Sequence, residues 1–133
     1  MERVRIISSE PNILVVDREY LVAMEAERVL LDTFACRMRI AMPHEFSHAM
    51  EHDRFDLLIV DTSVADDDGS RILANARAGG TKLIFTTLTK DAMRSLPQFQ
   101  GFATVAKPFS DEDLIDAVKA ALSVPEPEPE PEA

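Results

Sequence analysis

Tryptophan is absent from the 133 residues, and tyrosine and cysteine occur once each. A single thiol, Cys36, excludes an internal disulfide and fits a reducing compartment; alone it reads as a small buried hydrophobe. Positive charge is also scarce. Only 14 Lys and Arg stand against 24 Asp and Glu, for a formal net charge of −10. Glu126, Glu128, Glu130 and Glu132 in the terminal "PEPEPEPEA" supply four of those charges, so the body alone carries −6. An acidic surface repels phosphate backbones, which argues against nucleic-acid binding and for protein partners or cations. No apolar run approaches a membrane span, and "MERVRIISSE" lacks the apolar segment of a signal peptide, so a cytoplasmic protein without membrane contact is expected.

Apolar residues make up 46% of the chain. With so few aromatics, they predict an aliphatic interior, in one domain of about 124 residues before the tail. Short β-rich runs alternate with helical patterns: "NILVV", "EYLVAMEAERVLLDTF", "CRMRIA", "HEFSHAMEH", "FDLLIV", a helix near Gly69 to Ala78, "KLIFTT", a short helix around Asp91 to Leu96, "FATVA" and "SDEDLIDAVKAAL". In the first helix, Leu21, Met24, Ala26, Val29 and Leu30 follow helical spacing, and Ser110 is placed to cap the last. Runs such as "ILVV" and "LLIV" are apolar on both faces, so the sheet needs cover on both sides. That predicts a five-stranded parallel sheet between helix layers, a doubly wound α/β fold in the flavodoxin-like order 2-1-3-4-5. Residues 1–11 are expected to be an arm or an extra edge strand, 12–124 the domain, and 125–133 a solubilising, polyproline-like tail disordered by Pro and Glu.

In such a fold, ligands sit beyond the carboxyl ends of the strands. Asp17 follows the first strand, Asp61 the third, Thr87 ends the fourth and Lys107 follows the fifth, so all four converge on one crevice. A carboxylate there can attack a phosphoryl group while a hydroxyl and an ammonium neutralise its oxygens.

The motifs "ILVVDRE", "DLLIVDTSVADDDG", "LIFTTL" and "AKPF", taken in this order, resemble the receiver domain of two-component response regulators over roughly residues 12 to 123. The resemblance implies that Asp61 accepts phosphate from a histidine kinase or phosphotransfer protein and that Thr87 and Lys107 contact it. It implies Mg²⁺ held by Asp17, Asp61 and the Ser63 backbone carbonyl, a cis bond between Lys107 and Pro108, and a downstream protein docking on the face of helix four, strand five and helix five. Without a visible effector domain, the expected output is protein binding, and a homodimer is left open.

Two departures bear on chemistry. Arg18 occupies the family's second acidic position, the most direct Mg²⁺ ligand, which weighs against the metal; its guanidinium could instead attract phosphoryl oxygens or pair permanently with Asp61 or Asp17. The usual aromatic of the fifth strand is Thr104, with Phe102 two residues earlier on the same strand face. The rival readings are a phosphorylation-independent receiver serving as an interaction module and, more remotely, a haloacid-dehalogenase-like phosphatase with Asp17 as nucleophile and Glu19 as the second acid. No Gly- or Ser/Thr-rich loop follows strand one, which disfavours a flavin.

Two further patterns read as structural. "DDDG", Asp66 to Gly69, lacks the spaced acids of a calcium loop, and Asp68 is expected to cap the third helix. His44, His48 and His52 recur every four residues, a spacing able to hold a metal between helical turns, yet Phe46, Ala49 and Met50 lie on the other side, so the three histidines read as a solvated face.

Overall fold

In the computed structural model, the described residues are 4–6, 10–65, 67–88 and 102–125. The elements in chain order are β1 (Val4–Ile6), β2 (Asn12–Val16), α1 (Tyr20–Thr33), β3 (Arg37–Ala41), α2 (Phe46–His52), β4 (Leu57–Asp61), α3 (Asp67–Ala78), β5 (Lys82–Thr87), β6 (Ala103–Ala106), α4 (Asp111–Leu122) and β7 (Ser123–Pro125). Five strands form one sheet in the order β3-β2-β4-β5-β6, and every neighbouring pair is parallel. Counting only the strands of this sheet, that is the order 2-1-3-4-5.

All five residues of β2 and all five of β4 are buried. Successive side chains point to opposite faces of a strand, so an uninterrupted apolar run feeds two cores. Leu14, Val16, Leu58, Val60 and Phe85 pack with Phe46 and Ala49 of α2 and Leu73 and Ala76 of α3. Ile13, Val15, Leu57, Ile59 and Ile84 pack with Ala23, Ala26, Val29 and Leu30 of α1 and Leu114, Val118 and Leu122 of α4. Full burial of one such aliphatic side chain contributes roughly 1.5–3 kcal/mol.

At the amino ends of the strands, polar bonds hold the register. Asn12 donates its backbone N–H to Asp56 Oδ2 at 2.8 Å and its side-chain amide to the Arg54 carbonyl at 2.8 Å. The Thr81 hydroxyl donates to the Phe55 carbonyl at 2.9 Å.

Several elements differ from the sequence expectation. Ala26, Val29 and Leu30 of α1 are buried as expected, but Leu21 is 79% and Met24 42% exposed, because the buried stripe continues through Ala23 instead. Helix α3 starts at Asp67, so Asp68 stands inside its first turn and pairs with Arg71 at 3.1 Å rather than capping it. The segment "RVRIIS" contributes β1, which leaves the main sheet alone and pairs antiparallel with β7 in the register Arg5↔Val124. Pro125 therefore belongs to a strand. The helix expected around Asp91 to Leu96 and the tail beyond Pro125 lie outside the described residues.

Candidate functional site

Strand β2 runs to β3 on one side through α1, and β3 returns through α2 to β4 on the other. The direction in which successive strands are added across the sheet reverses between β2 and β4, which run parallel, and a crevice opens at their carboxyl ends. Asp17 immediately follows β2 and Asp61 ends β4.

Lys107 reaches this crevice from the end of β6. Its Nζ lies 3.0 Å from Asp17 Oδ2 and 2.6 Å from Asp61 Oδ1. The three side chains are only 3%, 11% and 6% exposed for Asp17, Asp61 and Lys107, so the ammonium bridges two nearly dry carboxylates. The remaining oxygens are also held: Asp17 Oδ1 accepts from the Glu19 backbone N–H at 2.9 Å, and Asp61 Oδ2 accepts from the Ser63 N–H at 3.0 Å and from the Ser63 hydroxyl.

Burial opposes charge on Asp61, but the bonds from Lys107 and Ser63 outweigh it and hold the carboxyl below its ordinary value. Burial likewise pulls Lys107 down, and its bonds to Asp61 and Asp17 lift it above the usual lysine range. Both ions are therefore charged at neutral pH. On Asp61, Oδ1 meets Lys107 and Oδ2 accepts twice from Ser63, so the described contacts use three of the roughly four acceptor sites of an ionised carboxylate.

Thr87 is 2% exposed at the end of β5, and its carbonyl accepts from the Lys107 N–H at 2.8 Å, which ties the two strand ends together. The Lys107–Pro108 bond is cis. Thr104 pairs with Phe85 across β5 and β6. Phe102, just before β6, meets Phe85 edge to face at 5.5 Å between ring centroids, and the Arg77 guanidinium lies 4.7 Å from the Phe102 ring centroid. Phe85 shares a strand face with Thr87 two residues on, so an aromatic contact runs from Phe102 toward the crevice.

Arg18 is exposed and makes no ion pair among the described residues, so of the two roles left open for it the permanent pairing with Asp61 or Asp17 is not formed; Lys107 has taken both partners. Arg18 instead lines a cleft of ≈ 260 Å³ with Ser63, His44, Ser47 and Asp68. For Mg²⁺ the donor set is poor. Each carboxylate has one oxygen on Lys107, so the ammonium already occupies the position between Asp17 and Asp61 that a divalent cation would need. Among the described residues, the side chains do not make a Mg²⁺ cage.

Sequence reasoning missed two contributors. The Ser63 hydroxyl, where the sequence pointed only to the Ser63 backbone, bonds the Asp61 carboxylate; the Asp-x-Ser spacing after a strand is a turn signal that could have revealed it. Arg77 over Phe102 had no sequence signal, since 25 residues separate the two positions.

No family model and no curated relative matches the sequence. Solved structures do resemble it. The signal receiver domain of an HD domain-containing protein from Pseudomonas fluorescens superposes with a TM-score of 0.68 at 20% identity, covering 85% of this chain and 94% of that one. A chemotaxis response regulator of Vibrio cholerae gives 0.70 at 18%, covering 85% and 99%. A response regulator from Thermotoga maritima gives 0.69 at 19%, covering 85% and 98%. At these identities the likeness is one of fold: the chain has the flavodoxin-like, CheY-like fold of receiver domains.

Proposed function

We propose that the chain is a receiver domain, a protein switch in which Asp61 accepts a phosphoryl group from a histidine kinase or phosphotransfer protein. The observation that carries this reading is the buried Asp17–Lys107–Asp61 bridge at the sheet's switch point. An Asp61 oxygen would attack phosphorus as the phosphorus–nitrogen bond of a phosphohistidine breaks, leaving the electron pair on the imidazole and a mixed anhydride on Asp61. Lys107 then faces phosphoryl oxygens instead of a carboxylate oxygen. Arg18, beside Ser63 in the adjoining cleft, supplies the second cation that the chemistry needs. Asp61 suits the nucleophile better than Asp17, the alternative of a phosphatase reading, because Asp17 is the more enclosed of the two.

The acyl phosphate would add charge beside Thr87, whose strand also carries Phe85 and its contact with Phe102. Repacking there would alter the surface of β6 and α4, where a downstream protein or a second copy would dock.

Intact-mass spectrometry after incubation with a small phosphoryl donor, with and without Mg²⁺, tests both halves of the reading. Wild type should gain one labile phosphoryl adduct that Asp61→Asn lacks, and its rate should change less than tenfold on chelating Mg²⁺. Arg18→Asp should make the reaction strongly metal-dependent. Equal labelling of Asp61→Asn would refute the acceptor, and abolition by chelation would refute the role given to Arg18.

A further inference from the structure

Helix α2 carries a side-chain cluster that the phosphoryl site does not use. His48, Glu51 and His52 are all exposed, and one ligand atom from each lies within 4.8 Å of the others. The spacing is i, i+3 and i+4, which brings all three onto one helix face. The His48 and His52 rings lie 4.1 Å apart between centroids at an interplanar angle of 31°.

The hydrogen bonding singles this group out from an ordinary solvated face. His52 Nδ1 is 3.0 Å from the His48 carbonyl. A carbonyl only accepts, so Nδ1 is the donor in this bond, and in the neutral ring that tautomer leaves the lone pair on Nε2. Metal-binding imidazoles are typically held in this way, with one nitrogen donating to a backbone carbonyl and the other kept basic toward the ion. His44 has no part in it, because it lies in the separate 3₁₀ turn Pro43–Glu45 and faces the Arg18 cleft.

We propose that His48, Glu51 and His52 form a surface site for a late first-row divalent cation, with Zn²⁺ the best match. Two imidazoles and a carboxylate are borderline donors that favour Zn²⁺, Ni²⁺ or Cu²⁺ over Mg²⁺. In a tetrahedral site with ligands near 2.0–2.1 Å, donor atoms lie about 3.4 Å apart, so small rotations of exposed side chains close the cluster around an ion. Three protein ligands leave a fourth position for water. The site is independent of the phosphoryl chemistry and lies on the layer formed by α2 and α3.

The test is competition for Zn²⁺ against a chromogenic chelator, using the full chain freed of any affinity tag and stripped with EDTA. Wild type, His44→Ala and Asp61→Asn should bind one equivalent with equal affinity. His48→Ala and His52→Ala should each bind at least tenfold more weakly, and Glu51→Gln should fall between. Zn²⁺ should also raise the melting temperature of wild type and leave that of His48→Ala unchanged. Affinity that survives in both histidine variants, or that is lost in His44→Ala or Asp61→Asn, overturns the assignment, as does a wild type that takes up no Zn²⁺. The substituted side chains are exposed, so circular dichroism in EDTA should match wild type for every variant.

Discussion

Lys107 serves two carboxylates at once, and its removal exposes what each costs. Lys107→Met leaves Asp17 and Asp61 buried without a counterion, and breaking a buried ion pair in this way typically destabilises by about 3–5 kcal/mol. In urea unfolding, the loss should be largest at neutral pH and shrink on acidification, as protonated carboxyls no longer need the ammonium. A loss below about 1 kcal/mol at pH 7 would show a solvated, exchangeable pair instead. The pH profile follows from the signs. Asp61 has a folded-state pKa below its ordinary value of 3.8, so its contribution is complete above that value and fades as pH falls toward the folded one. Lys107 has a raised folded-state pKa, so its contribution is complete below the ordinary 10.5 and fades as pH climbs through the higher folded value. The acid limb of stability should accordingly be shallower for Asp61→Asn than for wild type between pH 5 and 2.

Within single elements, burial decides the outcome of substitutions that look alike on paper. Leu58 of β4 is 0% exposed and Leu21 of α1 is 79% exposed. Leu58→Ala should cost about 2–5 kcal/mol, and Leu21→Ala should stay within about 0.5 kcal/mol, both read from denaturant midpoints. Helix α4 shows how local chemistry can be read directly from sequence. Ser110 accepts from the Asp113 N–H at 3.0 Å, and Asp111, Glu112 and Asp113 occupy the positive end of the helix. Ser110→Ala should lower stability by about 0.5–2 kcal/mol, and equal melting temperatures would deny the cap any weight. Helix α1, in contrast, has no side-chain cap and is held by its buried Ala and Val stripe.

Over the whole molecule, the central sheet and the β1–β7 ribbon should differ in stability. The sheet is buried between two helix layers, but the ribbon has only two strands of three residues each. Two-stranded ribbons are marginal in water without further packing. Amides of Val4–Ile6 should therefore exchange with solvent by local opening, orders of magnitude faster than those of Leu58 and Ile59 in β4, which require global unfolding. Comparable protection in native-state hydrogen exchange would mean that the arm is integral to the domain.

The parallel sheet, its order and the convergence of Asp17, Asp61, Thr87 and Lys107 on one end were legible in the sequence. Two-faced apolar strands alternating with amphipathic helices admit few arrangements, and the residue after each strand must then emerge at the same edge. Sequence pattern could not assign partners across that edge. Whether Arg18 or Lys107 would hold the carboxylates depended on where each side chain emerges. Lys107 points inward from the end of β6, and Arg18, one residue past Asp17, faces the outer cleft. Nor could periodicity alone separate His44 from His48 and His52, because His44 lies in a 3₁₀ turn that precedes the helix carrying the other two. Local pattern determined the elements and the end of the sheet where Asp17, Asp61, Thr87 and Lys107 gather; packing in three dimensions decided which charges meet, because pairing depends on distances between segments far apart in the chain.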